Sequence, residues 1–135
     1  MTIPTGNSKA DIKAREQIIS NVYRQWYATH PTRRVFNHSL KANINVRYLS
    51  VTETVSKAAR TYLSTLAVLQ LDTVLAQAKM SGKPVNPKNG TENQKHFVKI
   101  IIMHLKLIGI GTVKLTVGVK KTGEYIQYCI TTIQV

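Results

Sequence analysis

Apolar positions recur at two distinct spacings along the chain, and each spacing predicts a different element. From Lys9 onward, Ile12, Ile19, Val22, Tyr23 and Trp26 fall on one stripe at helical spacing. Ser8 precedes the stripe with Asp11 three residues later, in the position of a capping-box acid. His30-Pro31 ends the helix, because the residue before a proline is pushed out of the helical region. Lys9, Lys13, Arg15 and Arg24 fall on or near the other faces, and residues 1–7, with Pro4 and Gly6, read as a flexible tail.

Strict alternation follows at Ile44, Val46 and Tyr48 against Asn43, Asn45 and Arg47, which predicts a half-buried strand. Ser50 and Glu53 form a second capping box, at the head of a long helix predicted over about 51–80. Its apolar face comprises Val55, Ala59, Tyr62, Leu63, Leu66, Leu69, Val74 and Met80, and Gly82 is placed to end it. Residues 82–94 hold two prolines and an Asn-Gly pair and predict a polar loop.

Phe97 to Ile108 is too apolar for periodicity to choose between strand and buried helix, although the β-branched run Ile100-Ile101-Ile102 favours a strand. After Gly109 and Gly111, Val113, Leu115, Val117 and Val119 alternate with Thr112, Lys114, Thr116 and Lys120. A turn at Lys121 to Glu124 leads to Ile126, Tyr128 and Ile130 alternating with Gln127, Cys129 and Thr131, a hairpin with one apolar and one polar face. The expected architecture is one α+β domain over 8–135, in the order α-β-α-β-β-β. About four antiparallel strands would carry two helices on one face and leave the other open.

Charge changes this picture. There are 19 Lys and Arg against 6 Asp and Glu, a net charge of +13, yet charged residues make up only 19% of the chain. An average protein has about 25%, so the imbalance comes from missing acids; the alternative to a nucleic-acid role is a small phage or mobile-element protein that is basic without one. The basic residues are interleaved with apolar ones, so the field belongs to a folded body and attracts polyanions, nucleic acid foremost. A single cysteine, Cys129, excludes an internal disulfide and a multi-cysteine zinc site. The N-terminus lacks a signal-peptide run, and no stretch approaches the roughly 18 apolar residues of a membrane span. A cytoplasmic location is therefore expected, and the sequons at Asn37 and Asn89 read as chance.

Catalytic chemistry is sparse. Gly109-Ile110-Gly111 lacks the third glycine of a phosphate loop and precedes a strand instead of a helix. None of His30, His38, His96 and His104 pairs with another ligand at metal spacing, so no catalytic residue, metal or cofactor is assigned. Asp72 is expected on a thin polar strip with Gln70 and Lys79. On one continuous helix it would lie about 28 Å from Glu53, too far to share a metal.

Basic surfaces remain. Lys114, Thr116, Lys120, Lys121, Gln127 and Thr131 are expected on the hairpin's polar face, with Arg47 joining them and Tyr125 at the edge to stack on a base. A second patch comprises Lys13, Arg24, Arg33 and Arg34. The strands lack the paired central aromatics of RNA-recognition sheets. The leading expectation is a nucleic-acid-binding accessory protein directed at phosphates. The alternatives are an assembly protein that uses its open sheet face or edge strand for self-association or a protein partner, and a toxin-like endoribonuclease using His38 or His104, the last by fold analogy alone.

Overall fold

The computed structural model describes residues 2–88 and 94–133; of the expected loop, Asn89 and its sequon lie outside them. Helix α1 (Lys9–Thr29) begins as the sequence predicts, with the Ser8 hydroxyl accepting from the Asp11 amide at 3.1 Å. Its inward stripe buries Ile18, Ile19, Tyr23 and Trp26. Arg15 departs from expectation and is fully buried. Its Nε donates to the Ala59 carbonyl (2.8 Å) and its Nη1 to those of Pro4 (2.8 Å) and Gly6 (2.6 Å), so the segment before α1 is tied to the body.

Strands β1 (Arg34–Asn37) and β2 (Ala42–Asn45) form a hairpin, of which only β2 was anticipated. Asn37 organises it from inside. This fully buried side chain accepts from the Ser39 and Leu40 amides (2.9 and 2.8 Å) and donates to the Leu75 and Ala78 carbonyls (2.8 and 3.0 Å). Every polar site of the amide is used, which leaves the Asn37 sequon no free nitrogen. Ile44 and Val46 are buried as their alternation predicts, but Tyr48 is not, because the chain has already turned into a helix.

The long helix expected over 51–80 is three: α2 (Tyr48–Ala58), α3 (Tyr62–Val68) and α4 (Leu71–Gln77). A straight helix of that length would span about 45 Å, against a radius of gyration of roughly 14 Å for a domain this size. The first break falls at Thr61, whose extended backbone and hydroxyl cap α3 through the Ser64 amide at 3.2 Å. The expected Ser50–Glu53 capping box does not form: the helix starts three residues earlier with Arg47 as its N-cap, and Ser50 sits at the third helical position, where its hydroxyl accepts from the Arg47 amide at 2.9 Å.

Residues 97–107 settle as strand β4 (Phe97–Leu107) and join β5 (Gly111–Lys120) and β6 (Tyr125–Thr132) in an antiparallel meander. The two-residue strand β3 (Lys79–Met80) flanks β4. The sheet has six strands in the order β1-β2-β6-β5-β4-β3, and β2 runs parallel to β6. It is therefore mixed, with four helices, in place of four antiparallel strands with two. The strands β1 and β3 are too short to show a periodicity, and the β2–β6 pairing is a non-local feature that local pattern does not encode.

The helices share one main core with the sheet, in which Ile19, Tyr23, Ala58, Val68, Val74 and Leu75 meet Ile44, Ile101, Met103, Leu115, Val117 and Ile130. The hairpin's alternation holds on β5 but fails on β6. The register shifts between Thr116 and Val117, so Val117 faces Gln127 while Thr116 faces Cys129, and Tyr128 is the extra residue of a bulge. Gln127 therefore points into the helix-covered core. There its amide meets the Tyr23 hydroxyl (3.1 and 2.8 Å) and the Thr54 hydroxyl (2.8 Å). Ile126, Tyr128 and Cys129 land on the opposite face, where Phe97 and Ile100 complete a second, smaller core. Gly118 makes room for it, since a Cβ there would sit 2.5 Å from the Phe97 ring.

Past Ile126, β6 no longer pairs with β2, and helices seal that side. Ser50 Oγ donates to the Gln127 carbonyl, and the Thr132 amide donates to Ser64 Oγ at 2.9 Å. The free edges of the sheet are the short strands β1 and β3.

Two substitutions test this packing. Asn37→Asp turns a buried donor into an acceptor against two carbonyls and should lower unfolding free energy by about 2–4 kcal/mol, read by urea denaturation with an unchanged m value. Gly118→Ala should cost about 1–3 kcal/mol by overpacking against Phe97; wild-type stability would show that the ring yields freely.

Candidate functional site

Basic residues line three concavities of the surface, two of which lie along β6. The first is a groove of about 400 Å³ between α1 and the start of α2, lined by Ser20, Tyr23, Arg24, Tyr27, Arg33, Tyr48 and Val51. Consecutive turns of α1 supply Ser20, Tyr23, Arg24 and Tyr27 on one side. The turn before β1 supplies Arg33, whose guanidinium lies 4.3 Å from the centroid of the Tyr27 ring. Burial pushes the Tyr27 phenol up, and the fields of Arg33 and Arg47 partly offset this. Tyr48 stands at the first turn of α2, 82% exposed.

The second concavity, about 190 Å³, is lined by Arg47, Leu49, His96, Phe97, Lys120 and Ile126. Arg47 and Lys120 both line it, with Arg47 placed at the cap of α2 and not on a strand. Glu124 in the β5–β6 turn holds Arg47 at 2.6 Å. The third, about 240 Å³, lies on the sheet face away from the main core and collects Lys57, Lys88, Lys114, Thr116, Thr131, Tyr128 and Cys129 among its lining. Phe97 of the second touches Tyr128 of the third edge to face, with centroids 6.1 Å apart, so the two adjoin. Burial alone would lower the Lys57 ammonium, but its hydrogen bond to Glu53 and the neighbouring Tyr128 outweigh that and raise it.

The remaining residues singled out from sequence are scattered. Lys121 is exposed in the hairpin turn, and Arg34 is exposed at the start of β1, outside the first groove's lining. Lys13 is exposed two turns or more before that groove on α1. Tyr125 packs against the main core and pairs with Ile44, so its ring does not stand free at an edge. Gln127 leaves the polar face because of the bulge. Tyr48 was missed altogether, since its alternation with Ile44 and Val46 assigned it inward.

Acid–base chemistry finds little footing. Asp72 sits in the first turn of α4, and its Oδ1 accepts from Trp26 Nε1 at 2.6 Å and approaches His30 Nε2 at 3.2 Å. His30 Nδ1 contacts the Trp26 carbonyl and the Thr29 hydroxyl, both at 2.9 Å, and the imidazole stacks on the Trp26 ring with centroids 4.2 Å apart. Both ring nitrogens are thus engaged, and the pair locks the end of α1 to α4 without a nitrogen to spare for a substrate. His104 faces Lys114 across one ladder and Lys79 across the other. His38 meets Phe36 edge to face. Among the described residues no group of three or more His, Cys, Asp or Glu could hold a metal ion, and no helix is long and apolar enough to cross a membrane.

No protein-family model, no curated protein and no solved structure matches the chain.

Burial pushes the Cys129 thiol up to about 11 and raises the Tyr23 phenol as well. Each group holds its proton in the folded chain at a pH where the unfolded chain has released it. The unfolded state then binds fewer protons, so stability falls as pH rises above about 9 for the thiol and above 10 for the phenol, by up to about 1.4 kcal/mol per pH unit per group. Urea titrations between pH 8 and 11 should show a shallower decline in Cys129→Ala than in wild type. Native Cys129 should also resist alkylation at pH 8 and react once unfolded; rapid native labelling would contradict its burial.

Proposed function

We propose that this chain is a nucleic-acid-binding accessory protein that grips phosphates largely without regard to base sequence. The observation that carries the reading is the set of three concavities, the second and third adjoining, whose linings gather Arg24, Arg33, Arg47, Lys120, Lys57, Lys88 and Lys114 in a chain of net charge +13. No carboxylate lines the three concavities among the described residues; Glu124 and Glu53 stand behind Arg47 and Lys57 as their partners. Lysine and arginine beside threonine hydroxyls suit phosphate oxygens, which position a protein on nucleic acid without specifying sequence.

The assembly reading draws on less. The edge of β6 past Ile126 is sealed by Ser50 and Ser64, and the free edges are strands of four and two residues. The endoribonuclease reading has His38 and His104, and among the described residues no carboxylate forms an ion pair with either.

Fluorescence anisotropy with labelled duplex DNA, single-stranded DNA and RNA of equal length, across a salt series, tests the proposal. Affinity should fall steeply with salt on a log–log plot. Lys114→Ala combined with Lys120→Ala should weaken binding several-fold and flatten the slope by about 2, one per phosphate contact. Full affinity in the double variant would remove the sheet face from the interface, and absence of binding at physiological salt would overturn the proposal.

A further inference from the structure

We infer that the groove between α1 and the start of α2 seats an unpaired base, which makes single-stranded nucleic acid the preferred ligand; this rests on the nucleic-acid reading above. The argument begins with Tyr48. An aromatic side chain is a large apolar surface that folding ordinarily buries, and this one belongs to neither core cluster and is 82% exposed. It stands over a groove floored by Tyr23 and Val51 and walled by Tyr27.

The second feature is a planar cation built at some conformational cost. Arg33 has φ 53°, in the left-handed region that a side chain with a Cβ seldom adopts. Hydrogen bonds on both sides hold it there, from its amide to the His30 carbonyl (2.9 Å) and from the Val46 amide to its own carbonyl (2.8 Å). That backbone places the guanidinium on the Tyr27 face, so the groove presents two flat surfaces, one aromatic and one cationic, with Arg24 exposed at its margin. Such an arrangement fits a ligand with a flat π face and an attached anion. A nucleotide of a single strand offers both, whereas a base inside a duplex has its two faces covered by its neighbours and leaves Tyr48 nothing to stack on.

The test compares wild type, Tyr48→Ala and Tyr48→Phe for binding to oligo(dT), oligo(rU) and a DNA duplex of equal length at fixed salt. Because Tyr48 lies outside both cores, thermal melts of the variants should overlay that of wild type. Wild type should bind the single strands more tightly than the duplex. Tyr48→Ala should reduce the strand-to-duplex affinity ratio about tenfold, the size of one base–aromatic stack, without altering the salt slope. Tyr48→Phe, which keeps the ring, should restore the ratio. An unchanged ratio in Tyr48→Ala, or an equal loss on strand and duplex, overturns the base seat while leaving phosphate-directed binding intact. Failure of every nucleic acid to bind wild type removes both.

Discussion

A single extra residue in β6 sets the positions of much else. The bulge at Tyr128 lets Gln127 face the helices while Tyr128 and Cys129 face away, so one strand supplies both cores. A buried amide is costly unless its hydrogen bonds are made, and the partners that Gln127 finds belong to different helices: Tyr23 on α1 and Thr54 on α2. Their mutual placement is thereby fixed to hydrogen-bond tolerance. Tyr23 also lines the groove that Tyr48 and Arg33 line, so the polar contact inside the core and the surface groove outside it share one side chain.

The edges follow from the same strand. β6 must lie beside β5 to complete the meander, and its first residues accept β2 in parallel. Parallel pairing cannot be closed by a tight turn and needs a long crossover, which the helical region and the meander supply. Where β2 ends, the backbone of β6 would present unpaired groups, and two serine hydroxyls from α2 and α3 satisfy them. A strand that sequence position alone would leave as the last one at an edge is therefore interior.

Much of this was legible where the signal is local. Helix α1, its cap at Ser8 and its stop at His30 follow from spacing and side-chain chemistry, and so does the inward face of β5. What escaped is what local pattern cannot hold. A bulge reverses alternation with no change in composition, so Gln127 and Tyr128 exchanged faces. The break between α2 and α3 turns on the Thr61 hydroxyl, which competes with the helix backbone, whereas α4 starts at Gln70 with no side-chain cap, and the apolar residues of all three alone read as one face. The candidate site was half visible: Arg24, Arg33 and Arg47 were marked by charge, but Tyr48 was assigned to the interior because it continues the phase of Ile44 and Val46. Arg15 shows the converse, a charge read as solvated that is buried among carbonyls.

The distribution of the few acids sharpens the meaning of the positive field. Glu124 joins the β5–β6 turn to Arg47 at the cap of α2, Glu53 holds Lys57 one turn further along that helix, and Asp72 ties α4 to Trp26 and His30 at the end of α1. These three sit at junctions between elements or within a helix; Asp72 and His30 line a separate concavity of about 570 Å³, and no carboxylate lines the three basic ones. Self-repulsion among so many like charges works against a compact state, and nothing in either core requires Arg24, Arg33, Lys88, Lys114 or Lys120 to be basic. Packing therefore does not account for their charge. A ligand that brings phosphates to those surfaces relieves the repulsion as it binds, so association and stability are coupled through the same residues.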